Sequence, residues 1–412
     1  MNILKLNVNN LLVYGIISFG TFPLLPDRLK VILTGYLVVF SMILAINTKF
    51  KKINYQTFLI NSSLFFVLAI SLVYTNNISR GFKFVFETRI SSIIFPLIFL
   101  FISNRKDILN NQVIRKVKRI YIISCLLYCF IFYLFLLIYQ QSSFNSVSIL
   151  PTFVFTRNTM IDIPVIGNHP IYSSIYLGIA IIFLKPFKFL NKKSKKIEFL
   201  FFLVFVITLL LLSSKMVIIS LLLTGFVYLL KSKTYSKSIK IKVIASILIL
   251  IFLSLKFSPL KYRFNELFNK ETYEKFDRSK STSIRVAIYK CGIQVIDKNI
   301  AIGTGVGDVQ EELNSCYEGF SYYLVDNNFN IHNQYLSVFI ATGVIGLMFF
   351  LFFLFFNYRK SLKLKDETYI YILLFYSLNM MTENILERQN GIMLFYFFVC
   401  LFSQSKKNIR IN

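Results

Sequence analysis

The chain has 412 residues, of which 56% are hydrophobic and 16% are charged. A soluble fold of this length could not shield so much apolar surface from water, so the composition excludes an ordinary globular domain and indicates lipid as the solvent. The formal net charge of +27 raises the alternative of a nucleic-acid-binding protein. The positions of the basic residues decide between these two interpretations.

Apolar runs recur along the whole chain, many of them near the roughly 20 residues that cross about 30 Å of hydrocarbon. We predict an all-α integral membrane protein with about 12 transmembrane helices, because lipid-exposed segments must satisfy their own backbone hydrogen bonds and the alternation of barrel strands is absent. The predicted spans are 11–25, 29–46, 57–74, 84–102, 120–139, 171–184, 197–212, 216–230, 243–255, 335–356, 369–381 and 391–402.

The basic residues are concentrated on one side of the membrane if the predicted helices alternate in direction. Lys5, five short loops and the C-terminal tail hold about 28 of the 46 Lys and Arg residues on that side. This bias marks the cytoplasmic face, so both termini are predicted to be cytoplasmic. The charge therefore indicates topology and contact with anionic membrane lipids, and nucleic acid is not an expected partner.

The predicted spans divide the chain into three consecutive parts. Residues 1–255 hold the first nine helices, 256–333 form one large extracytoplasmic loop before helix 10, and 334–412 hold the last three. Helical spacing of apolar residues in the loop predicts an amphipathic helix over 281–299, lying against the membrane surface or the helix bundle. The loop also contains Cys291 and Cys316, which could form a disulfide in an oxidising compartment.

Ionisable side chains in the outer half of the predicted membrane, or at its outer rim, are candidates for function. Burying such a group in lipid costs about 2.5 to 3.5 kcal/mol on insertion scales. Arg89, Lys215, Glu383 and Arg388 meet this description, and a convergence of cations there indicates a lipid-borne diphosphate as ligand. Two alternatives stay open: an Arg89–Glu383 pair that only locks helices, and a Lys215 side chain that only reaches the interface.

Both histidines of the chain are predicted to lie outside. His332 ends the large loop where helix 10 begins, and a neutral imidazole there could accept a proton from a hydroxyl group at physiological pH. His169 precedes Pro170 at the entry to a span, where the alternative is a histidine that merely marks a helix start or the membrane interface.

The segment from Arg285 to Gly346 resembles the signature region of the O-antigen ligase and polymerase superfamily. The order of features carries the resemblance: Arg285 on an external helix, then Gly303-Thr304-Gly305-Val306-Gly307, then His332-Asn333-Gln334-Tyr335-Leu336, then Gly343-Val344-Ile345-Gly346-Leu347. Ser213-Ser214-Lys215 stands where members usually have a Ser-Arg pair. Lysine keeps the charge but lacks the planar bidentate fork of arginine, so its phosphate contact should differ in geometry.

The resemblance implies a GT-C-like glycosyltransferase of the cytoplasmic (inner) membrane with its active site facing the periplasm or outside. It would transfer a glycan from undecaprenyl diphosphate to an acceptor hydroxyl on lipid A core or on another glycan, with inversion and without a metal or other cofactor. Arg285, Lys215 and Arg89 would bind the donor diphosphate, with Arg285 and His332 catalytic. Supporting roles are expected for Asn333, Tyr335, Gly303, Gly305, Gly307, His169, Glu383 and Arg388.

Several functional alternatives follow from these patterns. A ligase that uses lipid A core, a polymerase that joins lipid-linked repeat units and a transferase to protein share the donor chemistry and differ in the acceptor, which the sequence does not reveal. A polysaccharide flippase or transporter is the alternative from another class. It predicts an internal repeat, and we found none.

Overall fold

The computed structural model describes residues 2–47, 54–103, 105, 107–142, 153–184, 196–231, 238, 241 and 268–404. The secondary structure of this part is helical, with no strand among these residues. Each predicted span coincides with a helix or with consecutive helical segments, except 243–255, which lies outside the described residues. The all-helical prediction is therefore confirmed for the part of the chain that the structure describes.

The chain forms two compact units that interleave along the sequence. Unit 1 comprises Met1–Asn9, Val38–Asn110 and Glu266–Asn412, and unit 2 comprises Asn10–Leu37 and Asn111–Asn265. The described part of the predicted loop thus groups with helices that both precede and follow it. The three consecutive parts that we predicted do not coincide with these units.

The described residues of unit 2 are mostly helical. Its core includes Phe22 and Tyr176, whose rings meet edge to face at 5.8 Å, and the hydroxyls of Tyr128 and Ser173, which lie 2.8 Å apart. The helices Asn2–Ser18 and Asp27–Asn47 run across its boundary. The others are Asn111–Ser142, Phe153–Asp162, Pro170–Leu184, Lys196–Leu212 and Lys215–Lys231, with a 3-10 segment at Phe19–Leu24.

Unit 1 contains the remaining helices, several of them short. One predicted span, 57–74, is a bent pair here: Tyr55–Asn61 and Ser63–Val73 meet at 55°. The α-helices are Tyr55–Asn61, Ser63–Ile70, Ile78–Lys83, Ser91–Phe101, Glu271–Glu274, Ser281–Lys298, Val309–Glu318, Tyr322–Asp326, Gln334–Leu364, Glu367–Asn379 and Gln389–Ser403. A π-helical segment covers Phe84–Thr88, and 3-10 segments cover Ser71–Val73 and Ile385–Glu387.

Four helices among the described residues are long and apolar enough to cross a membrane, and the bent pair could supply a fifth span. They are Asp27–Asn47, Ile78–Phe101, Asn111–Tyr139 and Gln334–Leu364. Val8–Leu24, Pro170–Leu184 and Gln389–Ser403 are apolar but shorter. The number of about 12 transmembrane helices therefore stays a prediction, whereas these seven helices and the bent pair are observed to be apolar.

The amphipathic helix predicted over 281–299 is present as Ser281–Lys298, hereafter the arginine helix. Its apolar stripe packs in a small core with Leu313, Tyr317 and Leu324 from the two helices that follow. A disulfide between Cys291 and Cys316 joins the arginine helix to Val309–Glu318. The apolar stripe of the arginine helix therefore packs against other residues of the protein.

The glycine-rich segment 303–307, the glycine turn, lies against a break in the helix Gln334–Leu364, hereafter the long helix. Gly343 interrupts the long helix with φ 65° and ψ −166°. The amides of Thr304 and Gly305 donate to the carbonyls of Ile340 and Ala341 at 2.8 and 3.1 Å. The turn therefore supplies the hydrogen bonds for carbonyls next to the break, and it needs glycine because a Cβ on Gly303 would meet the Ile340 carbonyl at 2.5 Å.

The other end of the glycine turn is fixed to the loop 75–77. The amide of Gly307 donates to the Thr75 hydroxyl at 3.0 Å. The carboxylate of Asp308, which is buried, accepts from the amides of Asn76 and Asn77 at 2.7 and 2.8 Å. Sequence reasoning missed Asp308, although an acidic residue directly after a glycine turn is a signal that could have identified it.

Candidate active site

Arg285 lies in the second turn of the arginine helix, on the flank of its buried stripe. The helix start is fixed by Ser283, whose hydroxyl donates to the Lys275 carbonyl at 2.9 Å and accepts from the Asp277 amide at 2.9 Å. The Arg285 side chain stays 30% exposed. A guanidinium held on a packed helix but still open to solvent can reach an anionic ligand.

His332 stands immediately before the long helix in a strained backbone conformation. Its φ is +47°, a left-handed value that costs an ordinary residue about 1–2 kcal/mol. The conformation is held on both sides, since the His332 amide donates to Asn330 Oδ1 at 3.1 Å and its carbonyl accepts from the Tyr289 hydroxyl at 3.1 Å. Strain that the surroundings maintain in this way is typical of functional positions.

Asn333 and Tyr335, for which supporting roles are predicted, make hydrogen bonds at the start of the long helix. The Asn333 side chain accepts hydrogen bonds from the amides of Tyr335 and Leu336 at 3.0 and 3.1 Å, the arrangement of an N-cap. The Tyr335 hydroxyl donates to the Ser377 carbonyl at 2.9 Å. The position of His332 is therefore set by a rigid helix end.

Glu383 brings Arg285 and His332 together. One of its carboxylate oxygens, Oε2, lies 3.7 Å from Arg285 Nη2 and 3.4 Å from His332 Nδ1, and the side chain is 11% exposed. The contact with His332 has the distance of an ion pair but does not meet hydrogen-bond geometry, and Nδ1 has no hydrogen-bond partner among the described residues. A small rotation of either side chain would close the bond, as catalytic pairs often require.

Tyr289 lines the same cluster from the arginine helix. Its hydroxyl donates to the carbonyl of His332 and, at 3.4 Å, to that of Met381. Burial raises the pKa of Tyr289, an effect that Arg285 opposes and Glu383 reinforces. The hydroxyl therefore keeps its proton, and its role as a donor, at neutral pH.

The segment 380–388, hereafter the acidic turn, carries Glu383, Glu387 and Arg388. The buried side chain of Gln334 accepts from the Leu386 amide at 2.7 Å, and the Gln334 amide donates to the Met380 carbonyl at 2.8 Å. Arg388 is exposed at the end of this turn. The acidic turn is thus bonded directly to the start of the long helix.

Arg89 forms its ion pair with Glu387, at 2.7 Å between Nη2 and Oε1, where the sequence had suggested Glu383 as a partner. Its side chain is 1% exposed, and its guanidinium carbon lies 4.4 Å from the centre of the Phe84 ring. Sequence reasoning missed Glu387 because the two residues are separated by 298 positions. The pairing corrects the partner and leaves Arg89 in the interior of unit 1.

Lys215 and His169 lie in unit 2. Lys215 begins the helix Lys215–Lys231, two residues after Ser213, whose φ is +49°. The hydroxyl of Ser214 donates to the carbonyl of Pro170 at 3.4 Å, which brings the Lys215 turn to the helix start that follows His169.

His169 itself is exposed, and its Nδ1 accepts from the Ile171 amide at 3.4 Å, as at a helix start.

Arg157 is a cation of unit 2 that sequence reasoning did not single out. Its Nη1 donates to the Leu212 carbonyl at 2.8 Å, three residues before Lys215. The signal available in the sequence was an arginine within the polar segment 140–170, which was expected to lie outside. The structure thus places an arginine beside the turn where Lys215 replaces the arginine of the resembled pattern.

A metal site is not evident in the described part of the chain, where no group of three His, Cys, Asp or Glu residues could hold an ion. The cluster around Glu383 offers an imidazole and a guanidinium, both partly exposed, on either side of one carboxylate.

Residues 199–351 match the family model described as O-antigen ligase. The resemblance to the O-antigen ligase and polymerase superfamily is confirmed. No curated protein matches the chain. The superfamily match covers Lys215, Arg285, the glycine turn and His332, whereas Arg89, His169, Glu383 and Arg388 lie outside it. Together with the apolar helices, the superfamily match supports a multi-pass membrane protein of the glycosyltransferase-like kind and lipid-linked glycans as substrates.

Proposed function

We propose that the chain is an O-antigen ligase-type glycosyltransferase that moves a glycan from undecaprenyl diphosphate to an acceptor hydroxyl. The observation that carries the proposal is the cluster of Arg285, Glu383 and His332 at the mouth of the long helix. Two of these residues lie within the stretch that matches the family model. The flippase or transporter alternative predicts an internal repeat, and the sequence shows none.

The proposed reaction is a single displacement. The acceptor oxygen forms a bond to the anomeric carbon while the bond from that carbon to the diphosphate oxygen breaks, which inverts the centre. His332 takes the proton of the acceptor hydroxyl, a contribution worth roughly 10²–10⁴-fold in rate. The leaving diphosphate keeps the electron pair, and the guanidinium of Arg285 stabilises its charge.

Glu383 has two functions in this scheme. A carboxylate that faces Nδ1 favours the tautomer with the proton on Nδ1 and leaves Nε2 free to act as the base. The same carboxylate lies 3.7 Å from Arg285 Nη2, and a single carboxylate can engage only some of the five guanidinium donors. The remaining donors are the ones that would bind the diphosphate.

Within unit 2, we propose that Lys215 and Arg157 act together as cations for a phosphate group. Lysine binds phosphate as a point charge, whereas arginine binds it through a planar fork. Arg157, bonded to the carbonyl of Leu212, would provide the fork that Lys215 lacks. Arg89 is buried against Glu387 and is not assigned to the diphosphate here.

The proposed site faces the outside of the cytoplasmic membrane. The Cys291–Cys316 disulfide supports this side, since structural disulfides persist in oxidising compartments. Cysteine introduced at Ser321 should react with a membrane-impermeant maleimide in intact cells, and cysteine at Lys363 should react only after the cells are opened. The reverse pattern would overturn the proposed orientation and the site with it.

The function is tested by the surface polysaccharide profile of a deletion strain complemented with wild type or His332→Asn. A ligase predicts loss of long glycan from lipid A core, with full-length chains accumulating on the carrier lipid, and no rescue by the variant. Single repeat units on the core would identify a polymerase instead. An unchanged profile would exclude both lipopolysaccharide reactions.

A further inference from the structure

The acidic turn that carries Glu383 also carries Glu387, which forms a buried ion pair with Arg89. The two side chains of this pair are 1% and 8% exposed. Removing two charges from water costs several kcal/mol per ion, so that a buried ion pair is weak evidence for a purely stabilising role. A role in holding the surrounding residues in one arrangement is the alternative to a purely stabilising role.

Glu387 is bonded through both of its carboxylate oxygens. Oε1 accepts from Arg89 and from the Ser337 hydroxyl of the long helix, and Oε2 accepts from the Asn384 side chain at 2.7 Å. Asn384 directly follows Glu383 in the sequence. The carboxylate of Glu387 thus connects the residue next to Glu383 with the helix that begins beside His332.

Three hydrogen bonds join the acidic turn to the long helix. Gln334 bonds it at Met380 and at Leu386, and Ser337 bonds it at Glu387, one helical turn further along. Since His332 precedes the same helix, one rigid element fixes both partners of the Glu383–His332 contact. A displacement of about 1 Å in such a contact can cost 10²-fold in rate.

We propose that Arg89 and Glu387 are positioning residues, which hold the acidic turn so that Glu383 faces Nδ1 of His332 and the reactive Nε2 is left to the acceptor. This inference rests on the proposed function for the catalytic use of His332, but the tautomer that it assigns does not depend on turnover. It gives Arg89 a role in orientation rather than a contact with diphosphate.

The direct test is the tautomer of His332 in the full-length protein in lipid nanodiscs. The chain has two histidines, so ¹⁵N-histidine labelling gives two imidazoles, and the signals missing from His332→Asn belong to His332. Wild type should show one tautomer, with the proton on Nδ1. Glu387→Gln, which keeps the shape of the side chain but not its charge, should show a mixture of both tautomers.

Asn357→Ala is the matched control for general loss of packing in unit 1. Asn357 is fully buried and bonded to Asn61 and Tyr369, but it takes no part in the acidic turn. This variant should keep the single tautomer. If Glu387→Gln does not fold, Ser337→Ala removes one of the bonds to the same carboxylate and should give the mixture. A single tautomer in the folded Glu387 or Ser337 variant would overturn the inference.

Kinetics separate this inference from the proposed function. Glu387→Gln should lower kcat by roughly 10-fold to 10²-fold with little change in KM for the lipid-linked donor, because orientation and not binding is lost. A rise in donor KM alone would contradict the positioning role and would indicate that Arg89 binds the donor diphosphate. Wild-type protein without transfer activity would refute the proposed function, while the tautomer measurement would still decide the positioning role.

Discussion

The glycine turn and the Arg285–Glu383–His332 cluster belong to the same unit, yet they use their polar groups differently. In the glycine turn, the amides of Thr304, Gly305 and Gly307 are bonded within the protein. In the cluster, Arg285 and His332 stay 30% and 24% exposed around one carboxylate, and Nδ1 of His332 has no hydrogen bond among the described residues.

The difference indicates which motif builds the fold and which is available for chemistry. A turn whose amides are satisfied by backbone and hydroxyl groups has few donors left to cradle a phosphate. A cluster with incompletely satisfied, partly exposed groups can exchange its contacts for contacts with a substrate. Glycine motifs beside a proposed phosphate site are therefore not necessarily phosphate loops.

The largest effect is expected from Gly343→Ala, which tests the structural role of the glycine turn and of the break that it packs against. Gly343 has φ +65°, and a Cβ there would collide with the Ala301 carbonyl. We expect little folded protein, measured as the monodisperse fraction after extraction in mild detergent. Gly35→Ala is the control, because a Cβ at Gly35 meets nothing within 4 Å. Normal folding of Gly343→Ala would show that the break in the long helix is not required.

His332→Asn should remove activity without removing the fold. Asparagine tolerates the left-handed backbone of this position better than other residues, so that the helix start should survive. Transfer should fall by roughly 10²–10⁴-fold, the range for loss of a general base. The assay is the rate of glycan transfer per folded molecule. A rate within a few-fold of wild type would take His332 out of the mechanism.

Arg285→Lys should have a smaller effect, because the charge stays and only the fork is lost. We expect a decrease in kcat/KM smaller than the roughly 10²-fold or greater loss expected for Arg285→Ala. Arg278→Ala, at an exposed arginine that precedes the same helix, should stay near wild type. Equal losses for Arg278 and Arg285 would point to a general effect of surface charge.

Lys215→Arg should have the smallest effect and tests unit 2. If Arg157 already supplies a fork near this turn, a second one should change donor KM by no more than a few-fold. Lys215→Arg in an Arg157→Ala background should then recover more activity than it adds in wild type. Independent effects of the two changes would mean that these cations do not serve one ligand.

The sequence predicted the apolar helices of the described residues, because each is an apolar run bounded by charged or polar residues, but it did not predict short helices such as Phe153–Asp162 and Val309–Glu318. It also singled out Arg285, His332 and Asn333 as candidates from a family pattern, and the structure places Arg285 and His332 beside one carboxylate. It did not predict the Arg89–Glu387 pair, the bridging place of Glu383 or the bonds of Asp308. These contacts join residues far apart in the chain, and local patterns carry no information on which of several acidic residues a buried arginine will meet.

The most direct test of the account is glycan transfer by purified protein in nanodiscs, supplied with a lipid-linked glycan donor and either lipid A core or a second lipid-linked glycan. Wild type and Gly35→Ala should transfer glycan to one of these acceptors, and folded His332→Asn should not. Transfer by His332→Asn at the wild-type rate, or no transfer by folded wild type to either acceptor, would contradict it.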